Sequence, residues 1–450
     1  MDTLESTQFP RLDSCSRETI INYFKNSWEL EDVLMKSLVG EETFYISPDP
    51  LRNRLIFYLG HSAVFYINKF LGVGLLDKPI NANYEILFEI GVDPETPEEL
   101  DQATKDIHWP TVEEVWRYRD QVYGVVIETI EKTPLNLPIH QNHPLWALMM
   151  GIEHSRTHFE TSSMLIRQLP VERLERPESW NYAVSNDKVS KNEMLQVSGG
   201  SVELGKPEDY PTYGWDSEYG NRSVEVKPFL ASEYLITNGE FLEFINDNGY
   251  DNPDYWDKES WTWKTIYNIK HPKFWIPTNS GYKYRAMFDE IDLPLDWPVE
   301  VNHHEAMAYC RWKGQGIRLM SEAEWNLATA GRDESSTNFQ QDPFAIQDYN
   351  LNLKFGSPSP VGMLQTAKSP AGLYDLRGNV WEWLSDDFKP LPGFKPHRLY
   401  EDYSAPFFDT QHNMMLGGAW VTTGTEASTF YRNWFRPYFY QHAGFRIAAS

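Results

Sequence analysis

Through the first 170 residues, apolar side chains return every three to four positions. That spacing predicts four amphipathic helices, over residues 18–38, 51–76, 112–133 and 145–169. The fourth is bracketed by Pro144 and Pro170, which makes it one continuous rod in which positions i and i+4 share a face. Four such helices form a bundle. The long connection at 77–110, rich in Asp, Glu, Asn and Pro, is expected to cross one end of it as an irregular loop able to wall a site. Beyond residues 171–195 the pattern changes to short alternating runs with many Gly, Asn, Trp and Tyr, and helical spacing survives only at 237–246, 303–313 and 321–329. Ser-Glu-Ala-Glu at 321–324 reads as a capping box, a structural signal. The expectation is an α+β chain: a helical bundle over 1–175, a linker over 176–192, and a second domain over 193–450 with little regular secondary structure.

Composition narrows the function classes. The chain has 450 residues, is 41% hydrophobic and 15% aromatic, and has 17 Trp, enough for two large cores with aromatic-walled pockets. Its formal charge of −25, with no basic run, argues against nucleic acid and anionic membranes as partners. No apolar stretch approaches the ~20 residues of a membrane span. The opening Met-Asp-Thr-Leu-Glu-Ser does not read as a signal peptide, so a cytoplasmic location is expected. Cys15 and Cys310 form no disulfide framework. The Gly-Gly pairs at 199–200 and 417–418 belong to no phosphate-binding loop.

Candidate chemistry centres on His154 and His158, four residues apart on the fourth helix and able to chelate one metal ion. The zinc-peptidase motif needs Glu directly after the first His, and Ser155 stands there. Small residues above the pair, Ala147 and Gly151, leave room for a hollow. His61, inside the apolar run of the second helix, is the candidate third ligand. A core histidine at 61 and a solvated helix face at 154–158 are the competing structural readings.

Several segments carry a resemblance. Residues 194–205, 316–325, 372–383 (with Gly-Asn-Val-Trp-Glu-Trp), 416–420 and 443–447 resemble the successive signatures of the formylglycine-generating-enzyme, or sulfatase-modifying, fold, of C-type-lectin-like type. The first half resembles a DinB-like four-helix bundle. The combination is similar to the non-haem iron sulfoxide synthases of thiol-histidine biosynthesis. Residues 48–52, 60–69, 160–170, 390–394 and 441–445 resemble the ovothiol branch, 5-histidylcysteine sulfoxide synthase, which joins cysteine to histidine. The alternative within the family is the ergothioneine branch, which uses trimethylhistidine (hercynine) with cysteine or gamma-glutamylcysteine. Thr157 departs from the Gln expected in that branch, and residues 88–93 lack the Arg expected to hold a glutamyl carboxylate.

The resemblance implies Fe(II) on His61, His154 and His158, with dioxygen as co-substrate. One ion holding both substrates would remove much of the entropy cost of their meeting, ~7–11 kcal/mol in well-oriented cases. It also implies a tyrosine that delivers a proton or electron and steers the reaction away from thiol oxidation. Tyr400 is the first choice and Tyr403 the second, because Phe388 cannot serve. For substrate binding it points to Asn433, to Arg432 or Arg436 as carboxylate clamps, to Trp434 as a wall, and to Arg54, seven residues before His61 on the same helix face. Because the chain ends at Ser450, a separate methyltransferase and C–S lyase are expected downstream. A zinc hydrolase using Glu153 or Glu160 as base, a non-catalytic binding module, and a formylglycine-generating enzyme proper, which needs a late cysteine pair, are the rivals.

Overall fold

The computed structural model describes residues 6–89, 91, 94, 96–186, 191–330 and 346–450. Part of the expected linker (187–190) and part of the crossover lacking an Arg (90, 92 and 93) lie outside the described residues. Two compact units divide the chain: Met1–Ser179 with Pro211–Tyr213 and Met287–Asp289, and Trp180–Tyr210 with Gly214–Ala286 and Glu290–Ser450.

The first unit is built on four long helices, α1 (Arg17–Lys36), α2 (Leu55–Val73), α5 (Val112–Lys132) and α6 (Leu145–Ile166). Their ends follow from local chemistry. The Ser16 side chain accepts from Thr19 N–H at the start of α1, Thr111 and Glu114 close a reciprocal capping box on α5, and Gly74 ends α2 in the left-handed region at φ 73°. α2 and α6 are buried almost all round and pack on each other, flanked by α5 and α1. The crossover departs from the expected irregular loop. It contains two short helices, α3 (Ala82–Leu87) and α4 (Pro97–Thr104), capped by Asn81 and Thr96.

The second unit holds small sheets around helices α7 (Asn238–Asn246), α8 (Lys258–Ile266), α9 (His303–Lys313) and α10 (Glu322–Ala330). Of these, α8 is absent from the sequence expectation, its Trp- and Thr-rich run giving a weak helical signal. The largest sheet is built from β1 (Trp381–Asp387), β2 (Asn413–Leu416), β3 (Asn433–Phe435) and β4 (Ala443–Gly444) in the order β3, β2, β1, β4, with only β4 and β1 parallel. Its core gathers Trp325, Leu376, Leu384, Phe388, Met414 and Leu416. The signature segments lock to one another here. Arg446 donates to the carbonyls of Ser232 (2.7 Å) and Glu233 (2.8 Å) and to Glu382 Oε1 (3.2 Å), joining the last signature to the Trp-Glu-Trp strand.

Among the described residues, no helix is long and apolar enough to cross a membrane. Cys15 and Cys310 are both buried free thiols.

Candidate metal centre

His61 leaves α2 toward α6, and His154 and His158 leave successive turns of α6 toward α2. Ring centroids lie 4.9 Å apart for His61 and His154, and 4.4 Å apart both for His61 and His158 and for His154 and His158. One ligand nitrogen from each falls within 4.8 Å of the others, and no carboxylate joins the group among the described residues. Sequence spacing could not bring His61 here, since 93 residues separate it from His154; helix packing does.

The surroundings are apolar. Phe65 stacks on His154 at 3.6 Å and 7°, Phe57 stacks on His61 at 4.8 Å, and Tyr58 is 6.2 Å from His158. Burial pushes the His61 imidazolium down to about 4, with the Phe88 carbonyl working the other way. Burial, followed by the neighbouring rings, holds His154 and His158 well below the ordinary histidine range. All three imidazoles are therefore neutral near pH 7, the state that binds metals.

The residues present fit a metal. His61 Nδ1 is 2.6 Å from the carbonyl oxygen of Phe88, so its Nε2 is the available donor. The Nδ1 atom of His158 is buried and makes no hydrogen bond among the described residues, a costly arrangement for a polar atom unless an ion takes the lone pair.

Arg54 departs from its expected place. α2 begins at Leu55, so Arg54 is the residue before the helix, extended at φ −62° and ψ 151°, and exposed. The charge of the half-buried Arg52 adds to the lowering of His158, after burial and His61, and works against the burial that raises Tyr58. Arg52 lies in the family-like segment 48–52, where nothing in the sequence gives it a role, and no local pattern singles out Tyr58, Phe57 or Phe65, because their place around the histidines depends on how α2 meets α6.

In the second unit the two candidate phenols are neighbours, with rings 5.4 Å apart. Tyr403 stacks on Trp215 at 4.1 Å and 14°, meets Trp434 edge-on at 5.4 Å, and its hydroxyl is 3.2 Å from that of Tyr431. Desolvation, then Tyr431 and Glu426, pushes the Tyr403 phenol well above its ordinary value. Tyr400 is half-buried on the same loop, 6.5 Å from Trp215. Trp434 lies flat on Phe388 at 4.2 Å, and the Asn433 side-chain oxygen accepts from Trp434 N–H at 2.9 Å.

The expected arginines are committed internally. Arg432 donates to Glu322 Oε1 at 2.6 Å and Oε2 at 3.2 Å, and to the carbonyls of Ser217 (3.2 Å) and Lys389 (2.9 Å). A buried guanidinium needs an acid, and Glu322 supplies it here. Buried Arg436 donates to Gln411 at 2.6 Å.

Residues 181–450 match the model of the sulfatase-modifying factor enzyme 1-like domain. The chain belongs to that family. Among relatives of this sulfatase-modifying-factor-like chain, a hercynine oxygenase of Mycobacterium tuberculosis is 34% identical over 241 residues, covering 52% of this chain and 55% of that protein. Ergothioneine biosynthesis protein 1 of Neurospora crassa is 26% identical over 499 residues, covering 93% of this chain and 56% of that protein. A formylglycine-generating enzyme of Thermomonospora curvata is 27% identical over 225 residues, covering 43% of this chain and 71% of that protein. The chain thus spans little more than half the length of the first two. The Neurospora relative is matched across the helical unit as well.

Proposed function

We propose that this chain is an oxygen-dependent, non-haem iron sulfoxide synthase that forms a carbon–sulfur bond between a thiol and the imidazole ring of a histidine-type substrate. The observation that carries this reading is the convergence of His61, His154 and His158 within 4.8 Å, in a chain similar to a hercynine oxygenase. Three imidazoles suit iron, zinc, copper and nickel alike, but zinc has no redox chemistry, and the relatives' names favour a redox metal. Bound iron would supply oxygen activation and a lowered thiol pKa. The chain's own part is to keep three imidazoles neutral, to fix the His61 tautomer through Phe88, and to line the centre with Phe57, Tyr58 and Phe65.

The rival chemistries find less support. A hydrolase needs a base beside the metal, and Glu153 instead accepts the Tyr23 hydroxyl at 2.7 Å. Formylglycine generation needs reactive cysteines, whereas Cys310, after which no cysteine follows, is buried with its thiol pushed up to about 12 by desolvation. A non-catalytic module would leave the buried Nδ1 atom of His158, which makes no hydrogen bond among the described residues, without the ion its place suits.

For the imidazole substrate we assign trimethylhistidine, the choice that the hercynine-oxygenase and ergothioneine names support over the free histidine of the ovothiol branch. Free histidine remains the second reading, carried by the family-like segments. For the thiol we assign free cysteine. Residues 88–93 lack the Arg expected to hold a glutamyl carboxylate, and Thr157, which departs from the Gln expected in the ergothioneine branch, turns its hydroxyl back onto the Glu153 carbonyl of its own helix at 3.2 Å.

The test is anaerobic reconstitution with ferrous iron, addition of each imidazole with each thiol, then oxygen and mass analysis. Trimethylhistidine with cysteine should give a sulfoxide with the highest kcat/KM. A tenfold preference for free histidine, about 1.4 kcal/mol in transition-state binding, would move the chain to the ovothiol branch. No carbon–sulfur product from any pair would overturn the synthase reading.

A further inference from the structure

His61 has its second ring nitrogen held by the main chain, at 2.6 Å from the Phe88 carbonyl. A carbonyl only accepts, so Nδ1 carries the proton and the Nε2 lone pair is presented to the ion. What holds that carbonyl in place is a seat built from residues with no chemistry of their own.

The Phe88 ring is fully buried against the main chain of Gly60, the residue before His61. A Cβ at Gly60 would stand 2.7 Å from the Phe88 ring atoms Cγ and Cδ1, closer than side-chain carbons approach. The ring cannot yield easily, because Trp109 (5.9 Å) and Tyr84 (5.7 Å) flank it. Phe88 also caps α3, its N–H bonding to the Tyr84 carbonyl at 2.9 Å. The same short helix is fixed at its other end. Glu85 Oε1 accepts from Ile80 N–H (2.9 Å), Asn81 N–H (3.0 Å) and the Tyr118 hydroxyl (3.1 Å), while Asn68 Nδ2 of α2 donates to the Glu85 carbonyl at 2.9 Å. The crossover is thus bound to α2 and α5 at several points, and sliding it by one residue would withdraw the Phe88 carbonyl.

We propose that Gly60 and Phe88 are positioning residues of the metal centre: glycine at 60 admits the Phe88 ring, and the seated Phe88 fixes His61 as its Nδ1–H tautomer with Nε2 toward the ion. This rests on the metal reading of the histidine triad. It gives the crossover a role in metal affinity.

Two measurements test it. The first is the imidazole nitrogen shifts of the metal-free full chain labelled at histidine, with His61 assigned by its absence in His61→Ala; the Nδ1–H tautomer is expected. The second is ferrous-iron affinity by anaerobic chelator competition. Gly60→Ala should lose about ten- to a hundredfold in affinity, the usual effect of losing a ligand's orienting partner, with the His61 tautomer mixed. Gly60→Ala/Phe88→Leu, with a smaller and more pliable side chain, should regain most of that loss. An Nε2–H His61 in the natural chain overturns the proposal even if Gly60→Ala does not fold, and a folded Gly60→Ala with unchanged affinity and tautomer overturns it too. Those outcomes leave the metal reading standing; failure of the natural chain to bind ferrous iron would overturn both.

Discussion

The ring of Tyr66 on α2 lies directly on the main chain of Gly151 on α6, where an added Cβ would come within 2.4 Å of Tyr66 Cδ1. Tyr66 is fully buried and receives a hydrogen bond from Ser155 at 3.2 Å, so it has no room to retreat. This contact lets the two ligand-bearing helices approach. Gly151→Ala is expected to destabilise the fold by ~1–3 kcal/mol through overpacking and to weaken iron binding by moving His61 away from His154. Denaturant unfolding and iron titration check it; unchanged values in both would mean that another contact sets the helix spacing.

Each triad histidine should be needed for metal. His61→Ala, His154→Ala and His158→Ala are expected to fold but to purify with little iron and to consume no oxygen with substrates. Iron content and oxygen uptake are the measurements. Full iron and full turnover in His61→Ala would return that residue to an ordinary core histidine.

Arg432 and Glu322 form a buried pair with a 2.6 Å contact, their side chains 5% and 6% exposed. Arg432→Ala would leave the Glu322 carboxylate buried and uncompensated, a loss of ~3–5 kcal/mol. Chemical denaturation should show that loss. A variant of natural stability with a raised KM alone would instead restore the substrate clamp.

Tyr400→Phe is expected to shift product from the sulfoxide toward the sulfinic acid of the thiol substrate while iron binding is kept, because one hydroxyl is withdrawn only from the transition state that uses it. Tyr403→Phe is the internal comparison. Since the Tyr403 hydroxyl meets that of Tyr431 at 3.2 Å, a shift in Tyr403→Phe alone would move the role to this phenol pair. Product mass ratios decide between them.

Asp216 accepts from the Ser404 hydroxyl at 2.6 Å and so ties down the loop carrying Tyr400 and Tyr403. Burial pushes its carboxyl up to about 6 from 3.8, outweighing the bonds from Ser404 and from the main chain of Ser217 and His397. Between these two values the folded state holds the proton more tightly than the unfolded chain, so stability from this group falls as pH rises through about 6. Asp216→Asn should flatten part of that fall and raise stability above about pH 7. Melting curves across pH check the sign, and a variant less stable at neutral pH would contradict it.

The helices that carry the site could be read from the chain because helical periodicity and capping are local. Residues 18–38, 112–133 and 145–169 became α1, α5 and α6 within a few residues at each end, and the i, i+4 spacing put His154 and His158 on one face. The signatures around Gly-Asn-Val-Trp-Glu-Trp likewise point to their family; 194–205, 372–383, 416–420 and 443–447 lie on strands and turns, and 316–325 runs into α10. What only the tertiary structure decided are the pairings between distant segments. These are the seat of Phe88 on Gly60, the approach of Tyr66 to Gly151, the union of Arg432 with Glu322, and the place of Arg54 outside α2, which turned on that helix starting at Leu55. Local pattern says which face of a helix is apolar; only close packing against another segment says which atoms on that face meet, and the metal centre depends on such meetings.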